Sequence, residues 1–373
     1  MNGASEVIFH IPSLLGGGAE RVAVEISRYF LSTGVRPIFF VHTKNNSYAL
    51  PDGVELIVSS KSGHISRVLE LRRLIKRRVP VAILSFLPYA NLISISAIIG
   101  LRRTPRIVVS EHLTCIGEKK IGLMHFLKWI LVRCFYQYSD SIVAVSEGVA
   151  NDLRGTLMGG ARDKISVINN PCFIPDAEDF IFRPEKTEIS LLAVGRLVDD
   201  KGFDVLIRAV ANARSRIGNF QLIIAGEGPC RPELEKLIAD YSLTECVRMP
   251  GFTRDVRTLY RGADLFICSS RREGFGNVIV EALSFGLKIV STQCPHGPQE
   301  ILANGRFGVL VPVNDDVALA NAIVEALHSP VSSESQIARA REYSLDVIGN
   351  LYLEKVGLAA FSCRYRAQKG YAE

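Results

Sequence analysis

The 373 residues are 48% hydrophobic and 22% charged, with a formal net charge of +6, which describes a well-cored globular chain of more than one domain and excludes a disordered one. The eight cysteines form no Cys-x-x-Cys pair and no His/Cys cluster at metal-ligand spacing. Scattered free thiols in a reducing, cytoplasmic compartment are therefore expected, with no metal and no cofactor.

The N-terminus lacks a basic stretch followed by an apolar core, so no secretory signal is expected. Strand-like Val7–Ile11 runs into Gly16-Gly17-Gly18, which opens a helix over Glu20–Leu31. Glycines there let backbone approach a phosphate or a sugar, although a tight βα turn would use the same residues. The second strand, Pro37–Val41, ends Val41-His42-Thr43-Lys44. A dinucleotide-binding fold wants Gly-x-Gly-x-x-Gly after the first strand and an acid at the end of the second. Neither is present, which argues against a nicotinamide oxidoreductase.

After strand Val54–Val58 comes a predicted helix, Ser66–Lys76, with Val68, Leu71 and Ile75 as its buried stripe. Arg67, Arg72, Arg73, Lys76, Arg77 and Arg78 crowd this helix, and residues 61–133 hold 14 basic against 3 acidic side chains. Arg102, Arg103, Lys119 and Lys120 follow, then an amphipathic stretch, Ile121–Tyr136, with Lys128, Trp129 and Arg133. Basic residues beside apolar ones suit an anionic membrane surface; a solvated helix face is the alternative. Sparse aromatic interleaving speaks against nucleic acid. Residues 81–101 carry no charge and are long enough to span a bilayer, but Pro88, Tyr89, Asn91, Ser94 and Ser96 interrupt them. Strand Val81–Phe86, a turn at Leu87-Pro88 and a buried helix to about Ile99 fit better. Strand Ile107–Ser110 leads into Ser110-Glu111-His112, a histidine at a strand end. Strands Ser141–Val145 and Ile165–Ile168 flank a helix at Gly148–Leu153.

Between Asn170 and Lys186 the chain turns polar and Pro-containing, as a linker does. The domains predicted are 1–172, a linker at 173–187, and 188–344. The second half repeats the alternation, with strands Ile189–Val194, Gln221–Ala225, Val247–Met249, Leu265–Cys268, Lys288–Ser291 and Gly308–Val311. Continuous Val/Ile/Leu runs joined by helices mean two doubly wound α/β domains with parallel, Rossmann-like sheets. Such sheets bind ligands outside the carboxyl ends of their strands, and two of them facing each other would make a cleft. The polar and glycine motifs fall at those ends. Arg196 and Lys201 follow the first of these strands, where a guanidinium fork and an ammonium would neutralise a diphosphate. Gly226-Glu227-Gly228-Pro229 is a tight turn on the same edge, and Pro250 to Asp255 offers a backbone edge for a nucleobase. Glu273 leaves strand Leu265–Cys268 and Glu281 lies early in helix Asn277–Ser284. Amides of Gly274, Phe275, Gly276 and Asn277 lie between them at a helix N-terminus that favours anions. Carboxylates accept from sugar hydroxyls; a solvated glycine turn would carry the same pattern.

In order, these residues resemble the family 4 retaining glycosyltransferases of GT-B fold. The resemblance covers nearly the whole chain: Gly-Gly-Ala-Glu-Arg (17–21), Ser-Glu-His (110–112), Val-Ser-Glu-Gly-Val (145–149), Asn-Asn-Pro (169–171), Val-Gly-Arg-Leu to Lys-Gly-Phe (194–203), Ala-Gly-Glu-Gly-Pro (225–229), Pro-Gly-Phe (250–252), Glu-Gly-Phe-Gly-Asn-Val-Ile-Val-Glu (273–281) and Gly-Pro-Gln-Glu-Ile-Leu (297–302). It implies that Arg196 and Lys201 hold the donor diphosphate, with Gly17 and Gly18 approaching it from the N-terminal domain. It implies that Glu281 accepts from the ribose. Glu273 and the amides of Gly274 to Asn277 would contact the transferred sugar, and His112 would sit near the anomeric carbon. A last helix, Leu345–Leu358 within 345–373, would pack back on the N-terminal domain. The donor expected is a nucleotide-diphosphate sugar with uridine as its base, carrying a hexose or N-acetylhexosamine. The acceptor expected is a lipid-linked or polysaccharide glycan, reached from the inner face of the cytoplasmic membrane. A GT-B nucleotide-sugar epimerase and a non-catalytic sugar-nucleotide-binding scaffold are the rivals. Arg271-Arg272 depart from the family pattern, and their added positive charge points to an acidic acceptor.

Overall fold

The structure, a computed structural model, describes residues 5–44, 48–112, 123–175, 188–253, 255–359 and 361. Lys119, Lys120, Ile121, Arg254, the linker from 176 to 187 and the chain from 362 onward lie outside the described residues. The chain divides into two compact units, one of Met1–Pro171 with Leu345–Glu373 and one of Cys172–Ser344.

In the first unit β1 (Glu6–His10), α1 (Gly18–Ser32), β2 (Arg36–Val41), β3 (Glu55–Val58), α2 (His64–Arg78), β4 (Ala82–Phe86) and α3 (Pro88–Ile98) come first. Then follow β5 (Arg106–Glu111), α4 (Leu123–Phe135), β6 (Ser141–Ala144), α5 (Glu147–Thr156) and β7 (Ile165–Val167). The seven strands pair in parallel in the order β3-β2-β1-β4-β5-β6-β7, so the order reverses between β1 and β4. Strands buried on both faces explain the unbroken apolar runs. Phe9 stacks on Phe39 at 5.3 Å and on Phe86 at 6.2 Å, and meets Phe30 of α1 edge-on at 5.4 Å.

The uncharged stretch from 81 to 101 is β4, a turn at Leu87 and the 11-residue α3. Among the described residues no helix is long and apolar enough to cross a membrane. Helix α2 begins two residues before its predicted start, and its buried positions are Leu71, Leu74 and Ile75. Val68, assigned to that stripe, is only half-buried. Helix α5 starts where the Ser146 hydroxyl accepts from the Val149 amide at 3.3 Å, the side-chain cap that fixes a helix start.

In the second unit β8 (Ile189–Val194), α6 (Phe203–Ile217), β9 (Phe220–Ala225), α7 (Arg231–Asp240), β10 (Val247–Gly251), α8 (Arg257–Gly262) and β11 (Leu265–Cys268) lead on. After them come α9 (Asn277–Ser284), β12 (Lys288–Thr292), α10 (Pro298–Ile301), β13 (Val309–Val311), α11 (Asp316–His328) and α12 (Ser333–Arg341). Six parallel strands run in the order β10-β9-β8-β11-β12-β13, reversing between β8 and β11. Strand β10 outlasts the predicted Met249 because Gly251 resumes pairing with Ala225 after a shift in register beyond Arg248; Pro250, lacking an N–H, sits in that irregularity.

The last helix, α13 (Leu345–Lys355), belongs to the first unit and packs on α1. A Cβ on Gly349 would stand 2.2 Å from the Tyr29 ring, so glycine sets how close the two helices lie. Beside it the Tyr29 hydroxyl donates to Asn350 Oδ1 at 2.7 Å. Buried Tyr352 brings its hydroxyl to 3.3 Å from that of Ser110 at the end of β5.

Candidate active site

In a doubly wound sheet the crevice for a ligand opens where the strand order reverses, outside the carboxyl ends. In the second unit those ends belong to β8 and β11, and the loops that leave them carry Arg196 with Lys201 and Glu273 respectively.

The loop after β8 rests on the turn after β9. A Cβ on Gly226 would lie 1.9 Å from the Gly195 carbonyl oxygen, and one on Gly228 would lie 2.3 Å from that of Leu197. The Leu197 amide donates to Glu227 O at 2.9 Å. The two glycines of this turn thus serve chain-to-chain contact beneath Arg196. The Arg196 side chain is exposed and makes no hydrogen bond or ion pair with any described residue.

Lys201 ends a short 3₁₀ turn, Asp199–Lys201, and Gly202 follows at φ 60°. A Cβ on Gly202 would meet the Ser269 carbonyl oxygen at 2.2 Å, while the Ser269 hydroxyl donates to Lys201 O at 2.9 Å. The two loops are locked together there. The result is a contact of 2.5 Å between the Lys201 ammonium and Glu273 Oε1, with side chains 24% and 9% exposed. The Ser270 hydroxyl donates to the same oxygen at 2.7 Å, and Thr292 Oγ1 donates to Ser270 O at 2.5 Å. Burial opposes the Lys201 charge, but the adjacent Glu273 carboxylate outweighs it and holds the lysine pKa above its ordinary value. Burial likewise pushes the thiols of Cys268 and Cys294 up, keeping them neutral.

Arg271 and Arg272 do not add free positive charge. Arg271 donates to Asp199 O at 2.6 Å, to Asp204 Oδ2 at 2.8 Å and to Asn314 Oδ1 at 2.7 Å. Arg272 donates to Asp200 Oδ2 at 3.2 Å, and the Arg271 amide donates to Asp200 O at 2.7 Å. Both guanidinium groups brace the loop that carries Lys201, which removes the argument for an acidic acceptor. Burial works against the Asp204 charge, but Arg271 and then Arg208 hold its carboxyl below the usual range.

Glu281, on α9, is 7% exposed and accepts from the Tyr260 hydroxyl at 3.0 Å. The Tyr260 ring stacks on Phe285 at 5.6 Å, so α8 aims this carboxylate. Gly276, at φ 102°, caps α9, and Asn277 is its first residue. The Phe275 ring is buried against Tyr343 at 5.4 Å, leaving only its backbone for a ligand. Its carbonyl lies where a Cβ on Gly297 would come within 1.6 Å; Gly274, beside it, is buried.

In the first unit Gly17 is the N-cap of α1 and Gly18 its first residue. A Cβ on Gly17 would run into the Glu20 carboxylate at 2.1 Å. His112 directly follows β5 and is buried, its Nε2 3.2 Å from Ser110 Oγ and its ring against Phe86 at 5.8 Å. Burial pulls its pKa to about 3, so the imidazole is neutral at pH 7 and acts as a hydrogen-bonding group. His10 and His42, missed in the sequence, place their Nε2 atoms 2.9 Å apart, with His10 Nδ1 2.7 Å from Ser94 Oγ. Burial lowers both, His42 to about 4, with Arg67 adding to the effect. They end β1 and directly follow β2, and the strand-end rule that marked His112 would have marked them.

The basic helix is partly committed. Arg78 grips Glu6 and Glu55 bidentately at 2.8–3.1 Å, Arg72 donates to Ala97 O and Ile99 O, and Arg67 donates to Tyr89 Oη at 2.8 Å. Arg73, Lys76 and Arg77 are exposed without a polar partner among the described residues. Among those residues no group of three or more His, Cys, Asp or Glu is placed to hold a metal ion.

Residues 16–172 match the family described as Glycosyltransferase Family 4, and residues 176–343 match Glycosyl transferases group 1. A Campylobacter jejuni protein named GalNAc-alpha-(1->4)-GalNAc-alpha-(1->3)-diNAcBac-PP-undecaprenol alpha-1,4-N-acetyl-D-galactosaminyltransferase is 25% identical, over 91% of this chain and 94% of its own. The lipopolysaccharide core biosynthesis glycosyltransferase LpsE of Rhizobium meliloti is 26% identical, over 91% and 95%. In fold the chain is similar to HepE of Anabaena, solved with UDP and glucose, at a TM-score of 0.76 and 19% identity over 95% of this chain and 99% of that one.

Proposed function

Because the chain belongs to the family 4 glycosyltransferases of GT-B fold, we propose that it moves a hexose or N-acetylhexosamine, with retention, from a UDP-sugar to a lipid-linked glycan. The setting proposed is bacterial lipopolysaccharide or lipid-linked oligosaccharide synthesis, worked from a membrane surface. The observation that carries this reading is the meeting of Lys201 and Glu273 beside the Arg196 loop, at the reversal of strand order. The printed names of the Campylobacter and Rhizobium relatives support the lipid-linked setting, and the UDP bound by HepE supports the base.

Departure of a sugar from its nucleotide puts charge on the β-phosphate oxygen as the anomeric carbon turns cationic. Arg196, exposed and without a polar partner among the described residues, meets that diphosphate with a guanidinium fork. Lys201 exchanges Glu273 for the phosphate. A cation placed where negative charge grows lowers the barrier, and removing one such donor costs about 2.7–4 kcal/mol, or ~10²–10³ in rate. Glu273, released from the lysine and still held by Ser270, accepts from hydroxyls of the sugar. Glu281, aimed by Tyr260, accepts from the ribose. The family pattern assigns neutral His112 to the sugar near the reacting carbon and Gly17–Gly18 to the diphosphate. Retention follows if the acceptor attacks from the face the phosphate leaves.

The test is release of UDP or GDP from a panel of sugar nucleotides, with protein on anionic vesicles that carry lipid-linked saccharides. One nucleotide sugar consumed only when acceptor is present, with a glycosylated lipid formed, is the expected result. A new sugar nucleotide without acceptor would mean an epimerase, and release from none of the panel would leave a non-catalytic scaffold.

A further inference from the structure

Helices α2, α3 and α4 of the first unit enclose a groove of about 490 Å³, within the size range of ligand sites. Val68, Leu92, Ile93, Leu127, Leu131 and Phe135 make its walls apolar. Ser96 also lines it, but its hydroxyl donates to Leu92 O at 2.7 Å, so little polarity reaches the interior. Leu127 and Leu131 are 45% and 44% exposed, and Val68 is the α2 position that left the core for this wall. Apolar side chains kept open to water in a concave site mark an occupant.

Two polar members of the lining, His64 and Tyr89, are joined to Arg67, which lies beside it. His64 Nδ1 and Tyr89 Oη are 2.8 Å apart, and Arg67 Nη1 donates to the same tyrosine oxygen at 2.8 Å. Lys128 is in the wall as well. On α2 the sole acid, Glu70, is engaged by Ser59 and Ser60, while Arg73, Lys76 and Arg77 are exposed without polar partners among the described residues. An apolar channel with a cationic corner is complementary to one hydrocarbon chain that ends in a phosphate. A flat bilayer face would cover exposed side chains without filling a concavity of this size.

We propose that this groove holds the first hydrocarbon segment of the phosphate-bearing lipid acceptor, its phosphate set against Arg67 and His64. The proposal rests on the lipid-linked acceptor of the reading above.

The chain has a single tryptophan, Trp129, which follows Lys128 on α4 and therefore reports on the groove. The probe is a dodecyl phosphate carrying a terminal bromine, added below its micelle concentration to the full chain. Saturable quenching of Trp129 is expected, about tenfold weaker with the corresponding bromododecanol. Leu131→Asp, at an exposed position, weakens quenching about tenfold with an unchanged melting temperature, and Arg67→Ala removes the preference for the phosphate over the alcohol. Quenching absent in the wild type, equal for the alcohol, or unchanged in Leu131→Asp overturns the proposal. So does quenching seen only with brominated phospholipid vesicles, which would make this face a bilayer contact. Turnover separates the two levels. A lipid-linked acceptor used by Leu131→Asp at the wild-type KM overturns the groove and leaves the transferase reading intact, whereas transfer to no lipid-linked acceptor overturns both.

Discussion

The Lys201 ammonium and the Glu273 carboxylate, 72 positions apart in sequence, meet at 2.5 Å where the loops after β8 and β11 cross. Each is the other's counter-ion. Under the proposed function, binding a diphosphate would be an exchange of partners, and truncating either residue leaves a largely buried charge without its counter-ion. That separates stability from chemistry in a way neither residue alone can. Lys201→Ala is expected to lower stability by about 1–3 kcal/mol, between the values for exposed and buried pairs. The double substitution Lys201→Met with Glu273→Gln recovers most of that loss in thermal unfolding yet restores no transfer. Recovery of turnover in the double variant would show that the pair is structural only.

Gly202 makes that meeting possible. Its φ of 60° and the 2.2 Å approach of a Cβ to the Ser269 carbonyl leave no room for alanine. Gly202→Ala is expected to cost at least about 1 kcal/mol, as left-handed or clashing backbone does, and to displace Lys201. Nucleotide release should fall by an order of magnitude or more, while far-UV circular dichroism keeps its wild-type shape.

Arg271 is a brace, and its loss should be felt as such. Arg271→Ala removes three hydrogen bonds, one to the Asp204 carboxylate. About 1.5–3 kcal/mol is the usual value for the charged one. Because Arg271 helps hold the folded pKa of Asp204 below its unfolded value, that contribution is present above the unfolded pKa and fades as pH falls through the folded one. Urea midpoints for wild type and Arg271→Ala should therefore converge at strongly acid pH, and transfer to acidic and neutral acceptors should fall alike.

Buried His10 and His112, with half-buried His42, give the acid limb its slope. Burial lowers His112 to about 3 and His42 to about 4, and burial and then His42 hold His10 well below its ordinary value. All three bind a proton more readily when unfolded, so stability rises with pH between about 4.5 and 6.5. Glu111 works the other way: burial raises it to about 7, so its proton is bound in the folded state and its contribution declines over much the same window. Three protons against one leave a net difference of about two, or at most about 2.7 kcal/mol per pH unit. Urea midpoints from pH 4.5 to 6.5 check this, and His112→Gln should flatten the slope by about a third to a half.

The doubly wound architecture was legible because continuous Val/Ile/Leu runs alternated with helix-period segments, and strand ends were marked by Gly17, His112, Arg196 and Glu273. The partners of the site side chains were not. Nothing local in the sequence ties Lys201 to Glu273, Thr292 to the Ser270 carbonyl or Tyr260 to Glu281, because those partners lie 72, 22 and 21 positions apart. For the same reason Arg271 and Arg272 read as free charge until Asp199, Asp200 and Asp204 are folded against them. Val68 fell in the apolar period of α2, but periodicity marks a face without saying whether core or groove covers it. The start of α11 was within reach: Asp315 accepts from the Ala318 amide at 2.8 Å, a local cap that sequence alone can suggest.

The most direct measurement is calorimetric titration of UDP, GDP and uridine into the wild type and Arg196→Ala. Arg196 has no polar partner among the described residues, so its removal should leave the fold intact. One nucleoside diphosphate should bind the wild type, and Arg196→Ala should weaken it by about ten- to a hundredfold, the loss of a charge-assisted pair, with uridine unaffected. Equal affinity of the two proteins for every diphosphate would contradict the placement of the donor at this sheet edge.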